Sequence, residues 1–243
     1  MAIDDRRRQD RRALQVSTWR GDQGIAVLSP APDRPNPGAS AVAAEVERLR
    51  AEGVRRALTG ALHQGELAPF LANGFTEHER LHLLRHDLLR LPDATASWRI
   101  RRVRSGDQTT VLDIDARAFD EFWALDRRGL DDAIRATPTS RYRVSAERGG
   151  PVTGYAVTGR AAERGYLQRL AVHPNHHRAG IGRALVVDAL TWLRRSGARV
   201  AVVNTQERNA GALALYQTCG FVAEPAGLTV LALALDLAGP DAR

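Results

Sequence analysis

Between Arg169 and Val186 the chain reads RLAVHPNHHRAGIGRALV. An apolar strand ends at a His-Pro corner, a polar loop follows, and Gly180 and Gly182 stand where a helix opens. The first turn of a helix leaves backbone N–H groups without partners. Together with the helix dipole they make an anion site, and glycine lets a phosphate come close to the backbone. In His177-Arg178-Ala179-Gly180-Ile181-Gly182 the glycines sit where those donors would point, which makes the stretch a candidate phosphate site. A tight turn with no ligand is the other reading of a lone Gly-x-Gly.

Such a site needs a strand before it and a helix after it. Tyr166–Val172 reads as a buried strand, and Gly182–Arg195 as a helix stopped by Gly197. Val200–Asn204 is a further strand, Ala210–Cys219 a helix and Val230–Asp236 a closing strand. Upstream, Ile100–Val103 is a strand and Thr110–Ala136 one or two helices anchored by residues such as Phe119, Phe122 and Leu130. Tyr142–Glu147 and Gly154–Gly159 form a hairpin around Gly149-Gly150-Pro151. The first half offers short strands at Leu14–Trp19 and Gly24–Leu28, a loop at 29–38 and a helix at Ala39–Ala51. A strand from Val54 to about Leu62, a short helix at Glu66–Ala72 and a strand ending near Leu89 complete it. The order predicts an α/β (α+β) chain: a mixed, mostly antiparallel sheet flanked by helices.

Composition narrows the function. All 35 basic residues are arginine, against 28 acidic ones, for a net charge of +7. The arginines are spread along the chain and no RNA-binding motif accompanies them, which argues against a nucleic-acid partner. The single cysteine, Cys219, excludes an internal disulfide framework and a Cys-based zinc cluster. His173 and His176 lack a nearby third ligand and shape the corner; no metal is expected. No apolar run is long enough to span a membrane. Residues 1–12 are charged and lack a signal peptide's apolar stretch. A disordered tail on a cytoplasmic protein is the simplest expectation.

Two blocks together carry a resemblance. His177-x-x-Gly180-x-Gly182, preceded by LAVHP and followed by GRALVVDALTWLRRSGA, resembles the start of the central helix in the GNAT superfamily of N-acetyltransferases, with His177 in place of the usual Gln or Arg. Asn209, Ala212, Leu215, Tyr216, Gly220 and Phe221 fit its second block, Asn-x-x-Ala-x-x-Leu-Tyr-x-x-x-Gly-Phe. The resemblance covers about Trp98–Leu237 and implies a GNAT-type fold with acetyl-CoA as co-substrate. It implies that amides from His177 to Gly182 hold the pyrophosphate and that the strand Gln168–Val172 hydrogen-bonds the pantetheine. An amide near Leu170 or Ala171 would polarise the thioester carbonyl. Asn204 joins the expected coenzyme contacts. Asn209, beside Ala212, contacts the pantetheine or caps its helix, and Arg178 and Arg183 neutralise phosphates or are simply solvated.

Tyr216 takes the position of the acid that protonates the leaving thiolate. The base is open, because YLQRLAV contains no carboxylate: Glu163, Asp120, Glu121 or ordered water remain. Phe119, Phe122 and Trp123 fall in the acceptor region and either enclose an acceptor or pack in the core. The expected activity is direct acetyl transfer to a protein N-terminus, a lysine or a small amine, with a weak leaning to the ribosomal-protein alanine acetyltransferase branch. A non-catalytic acyl-CoA-binding sensor is the alternative. A homodimer is left open.

An internal repeat also shows. Gly38 to Gly53 and Gly182 to Gly197 are equally spaced across a helix, and each helix leads through a strand and a short helix to a Gly-Phe pair, Gly74-Phe75 and Gly220-Phe221. In the first copy Phe70 stands where Tyr216 does and His63 where Asn209 does. Pro35 and Pro37 fall opposite Ala179 and Ile181 and supply no N–H. The expected organisation is a tail (1–12), a degenerate, partial GNAT-like domain (13–95) and a catalytic domain (96–243).

Overall fold

Strands β1 (Leu14–Trp19) and β2 (Asp22–Pro30) form an antiparallel hairpin. Arg20 and Gly21 both adopt left-handed backbone at its turn, the geometry that matches strand twist. The computed structural model describes residues 13–31, 34–93, 98–146 and 150–235. The expected tail, the boundary at 95/96, the turn glycine Gly149 and the ends of two expected strands, Glu147 and Asp236, lie outside the described residues.

The chain divides into two units, residues 1–82 with 225–243, and residues 83–224. In the first, helix α1 (Ala39–Ala51) buries Val42, Val46 and Leu49 and returns the chain to β3 (Arg56–Thr59), parallel to β2. A short helix α2 (Ala68–Leu71) leads to β4 (Thr76–His86). The last strand among the described residues, β11 (Leu228–Ala234), then inserts between β3 and β4, antiparallel to both. Its Leu231 joins Leu28, Val42, Phe70 and Phe75 in this unit's core.

In the second unit β5 (Arg99–Arg102), β6 (Thr139–Ala146), β7 (Val152–Ala161) and β8 (Arg164–Val172) run antiparallel in succession. Helix α5 (Ile181–Arg195) crosses over to β9 (Val200–Gln206), parallel to β8. Helix α6 (Ala210–Thr218) leads to the two-residue β10 (Val222–Ala223). The end of β4 lies between β9 and β10, so Leu83–His86 belong to this sheet. One face carries α5 and α6 over Leu167, Leu185, Leu190, Val203 and Phe221. The other carries α3 (Gln108–Ala118) and α4 (Arg127–Arg135) over Val111, Ile114, Leu130, Tyr155 and Val157. Covered on both faces, β7 is buried for most of its length.

The division into units falls at 82/83, and Leu84 and Arg85 at the end of β4 pair with β10 in the second unit. The closing strand belongs to the first unit, where its apolar residues meet α1's core. Of the one or two helices expected over Thr110–Ala136 there are two: α3 stops as Phe119 turns extended, and Asp126 starts α4 by accepting the Gly129 N–H at 2.7 Å.

His86 ends β4 at 2% exposure, its Nδ1 accepting the Leu88 N–H at 2.9 Å. Burial lowers its pKa below 6.5, against smaller opposing effects of Asp87 and the Cys219 backbone. The unfolded chain therefore takes up this proton first as pH falls. Stability is full above about pH 6.5 and declines below it, by at most about 1.4 kcal/mol per pH unit from this group. Urea unfolding between pH 8 and pH 5.5 should show this slope, and His86→Gln should reduce it. An unchanged slope in the variant would assign the pH dependence to other groups.

Candidate active site

Strand β8 is bent where it matters. Val157 of β7 faces Arg169 and Thr158 faces Leu167, so Gln168 is the extra residue of a β-bulge. Bulges bend their strand and strengthen its twist. On its other edge β8 pairs with β9 only through Arg164–Val200, Gly165–Ala201 and Tyr166–Val202. Beyond these, among the described residues, no pairing joins the two strands. Gln168, Leu170, Ala171 and Val172 thus run along an open edge, and Asn204 is exposed on the facing stretch of β9.

At the head of this gap lies the glycine loop. Pro174–His176 form a 3-10 turn, with His173 Nδ1 accepting the Asn175 N–H at 3.2 Å. His177 Nε2 donates to the Val172 carbonyl at 3.1 Å and ties the loop to the end of β8. The Trp98 indole N–H donates to the Ala179 carbonyl at 2.7 Å and fixes the loop from another side. The backbone is left-handed at Arg178 (φ 63°) and again at Gly180 (φ 84°). Gly180 is the N-cap of α5, and no side chain caps this end. The amides of Ile181, Gly182 and Arg183 are the donors a diphosphate would take.

The two glycines have different reasons. A Cβ on Gly180 would meet nothing within 4 Å, so its backbone conformation demands glycine. A Cβ on Gly182 would lie 2.9 Å from Leu215 Cδ2, so the leucine side chain of α6 would have to shift to admit it. Gly180→Ala should cost about 1 kcal/mol of stability, the strain of a left-handed residue with a Cβ, and weaken acetyl-CoA binding several-fold. Unfolding and calorimetric titrations of the variant check both; undiminished coenzyme affinity would show that this turn does not set the donors.

The expected phosphate partners separate. Arg178 is exposed and has no ion-pair partner among the described residues. The Arg183 guanidinium instead donates to the Thr218 carbonyl at 3.2 Å, at the C-terminal end of α6, where a cation complements the dipole. Asn209 caps α6, its Oδ1 accepting the Ala212 N–H at 3.0 Å. On the same helix Tyr216 is 5% exposed and packs 5.7 Å from the Phe221 ring. Burial, then the neighbouring Cys219, push its hydroxyl pKa well above the ordinary tyrosine value, while Arg169 acts the other way. The phenol keeps its proton across the physiological range, the state a donor to a leaving thiolate requires.

The acceptor side rests on a network that sequence reasoning missed. Asp115 of α3, at 0% exposure, accepts from Arg169 Nε (2.8 Å) and a second guanidinium nitrogen (2.7 Å), from the Tyr155 hydroxyl and from the Leu125 N–H. Arg169 also donates to the Trp123 carbonyl at 2.7 Å and stacks 3.4 Å over the Phe119 ring. These bonds pin the turn between α3 and α4. Phe119, Phe122 and Trp123 sit on that turn, half-buried, with the last two rings edge-on at 5.1 Å. Asp120 of the same turn accepts from Arg208 of the β9–α6 loop at 2.7 Å. The signal was present: a carboxylate in the apolar stripe of α3 requires a buried partner.

Of the carboxylates considered as base, Glu121 is exposed on this turn. Glu163 is not brought to the site. It lies in the β7–β8 turn, ion-paired to Arg199 at 2.9 Å, and seven residues of extended strand put it roughly 20 Å from Leu170.

The acetyltransferase (GNAT) family model matches residues 109–221. The ribosomal protein bS18-alanine N-acetyltransferase of Escherichia coli K12 is 32% identical over 72 residues, 30% of this chain and 49% of that protein, so the match spans about half of that relative's length. The mycothiol acetyltransferase of Thermomonospora curvata is 30% identical over 225 residues, 82% of this chain and 74% of that protein. A tandem GNAT protein from the clavulanic acid biosynthesis pathway shares the fold at TM-score 0.66 and 17% identity, over 90% of this chain and 77% of its own. So does a GCN5-related N-acetyltransferase from Kribbella flavida, at TM-score 0.61 and 18% identity, over 96% and 93%. A parted strand pair, an uncapped glycine-led helix and a relative matched across most of both chains lead to one conclusion: this chain belongs to the acetyltransferase (GNAT) family.

Proposed function

We propose that the protein transfers acetyl from acetyl-CoA directly to the amine of a small molecule, with no covalent enzyme intermediate. The observation that carries this reading is the parting of β8 from β9 beneath the uncapped start of α5. The pyrophosphate lies on the amides of the 177–183 loop with Arg178 beside it. The pantetheine runs along Gln168–Val172, with Asn204 across the gap and Asn209 and Ala212 at the start of α6. The amine lone pair attacks the thioester carbonyl carbon, whose oxygen is held by the Leu170 or Ala171 N–H. The C–S bond breaks, Tyr216 gives its proton to the departing sulfur, and the proton that the nitrogen sheds on becoming an amide returns to the tyrosine oxygen through water. An alkyl amine arrives mostly protonated at pH 7; Glu121, directly or through water, removes that proton.

A small acceptor is favoured because the likeness to a mycothiol acetyltransferase runs over 82% of this chain, against 30% for the bS18-alanine enzyme. Phe119, Phe122 and Trp123 flank that acceptor. The first unit is read as a degenerate copy of the second. Both join two parallel strands through a helix, β2–α1–β3 and β8–α5–β9, and the Phe70–Phe75 ring pair at 5.5 Å parallels Tyr216–Phe221. Its N-cap glycine, Gly38, is not left-handed (φ −76°) and lacks the turn that bares α5.

One observation favours a non-catalytic acyl-CoA sensor instead: β8 carries no carboxylate, and its Arg169 is committed to Asp115. Calorimetry with acetyl-CoA and a turnover assay over small amines, amino-terminal peptides and lysine peptides separates the readings. Binding with turnover on a small amine supports the proposal. Turnover only on peptides removes the small acceptor, tight binding without any turnover supports the sensor, and no binding removes both.

A further inference from the structure

Away from the glycine loop, the second unit has a cavity of about 560 Å³ lined by arginines. Strand β5 ends at Arg102, paired with Arg143, so the edge of β6 before Arg143 has no β5 neighbour. Arg102, Arg104, Arg141 and Arg143 line the space, with Tyr142 and Trp192 in its walls. No carboxylate lines it among the described residues. Asp188 of α5 takes Arg141, in a paired contact at 2.8 and 3.1 Å. No described carboxylate pairs with Arg102, Arg104 or Arg143.

The cluster is unsatisfied in its own right. Arg143 Nε and the Tyr142 hydroxyl are both buried without a hydrogen-bond partner. Native structures rarely leave such groups unpaired without a reason. Burial, then the neighbouring Arg141, lower the Arg143 pKa from its ordinary value; Asp188 opposes them in part, and Arg102 adds a smaller lowering. An anion among these guanidinium groups would relieve that repulsion. A phosphate offers close to two negative charges and three acceptor oxygens, and guanidinium forks match it bidentately. The volume suits a small molecule. Trp192 offers an aromatic wall for the rest of it.

We propose that this cavity is a second ligand site, which binds a small phosphorylated molecule independently of the coenzyme. The site lies along α5 from the glycine loop: Ile181 and Trp192 are roughly 16 Å apart at the helical rise.

Inorganic pyrophosphate is the probe, titrated by calorimetry at constant ionic strength into the full-length protein with and without saturating coenzyme A. One binding event should persist with coenzyme A present. The double variant Arg102→Gln/Arg104→Gln, both exposed positions, should weaken it at least about tenfold, the scale of lost charge-assisted hydrogen bonds. Arg178→Gln should leave it unchanged, and the accompanying tryptophan fluorescence change should vanish in Trp192→Phe. Loss of binding in the presence of coenzyme A, or no weakening in the double variant, overturns the proposal. So does citrate binding as tightly as pyrophosphate, which would assign the cavity to carboxylates. If the protein ignores coenzyme A, the transfer reading fails, while the arginine variants still decide this one.

Discussion

Tyr216→Phe should lower kcat about 10²-fold, the lower end of what a positioned general acid contributes, while the Kd for acetyl-CoA stays within about twofold. The division follows from geometry. The coenzyme is held by loop amides and a strand edge, neither of which the phenol supports. Tyr216 makes no hydrogen bond among the described residues, so losing its oxygen strands no buried partner. Urea unfolding should show stability unchanged or slightly raised. Because burial holds the hydroxyl protonated above its ordinary range, wild-type kcat should rise with pH as the amine deprotonates and show no fall from this tyrosine below pH 10. An unchanged kcat in the variant, measured at saturating acetyl-CoA, would remove Tyr216 from the mechanism.

Arg169→Leu should be the most destabilising of these changes. It strands the fully buried Asp115, whose partner side chain is only 14% exposed. Breaking a buried ion pair from one side costs about 3–5 kcal/mol. The variant also loses the bond to the Trp123 carbonyl and the stack on Phe119. Arg169→Lys should recover little, because an ammonium cannot make the two parallel bonds to Asp115. Asp115→Asn in the Arg169→Leu background should recover part, because it removes the unpaired charge. Denaturant titration of the three variants reads this order. The turn holding Phe119, Phe122 and Trp123 loses its anchor in the Arg169 variants, so KM for the amine should rise more than KM for acetyl-CoA. A loss under about 1 kcal/mol would mean that Asp115 finds water or another donor at little cost.

Much of the site was legible locally. The strand, the polar corner and the helix around Gly180 follow from a short window, because helix starts and left-handed turns are set by neighbours in sequence. Asn209 as a cap and Tyr216 further along α6 are of the same kind. Glu163 shows the limit. It is adjacent in sequence to β8, but strand length carries it to the wrong end, and Arg199 holds it there.

By itself, the sequence determined the glycine-led start of α5, the cap of α6, the α/β class and the family, because each is written in spacings within one or two elements. Tertiary structure alone decided that β11 joins the first unit, that Gln168 bulges so β8 leaves β9, and that Asp115 and Arg169 neutralise one another. Those outcomes depend on pairing between segments far apart in the chain, where burial and charge are fixed only once the sheet has closed around them.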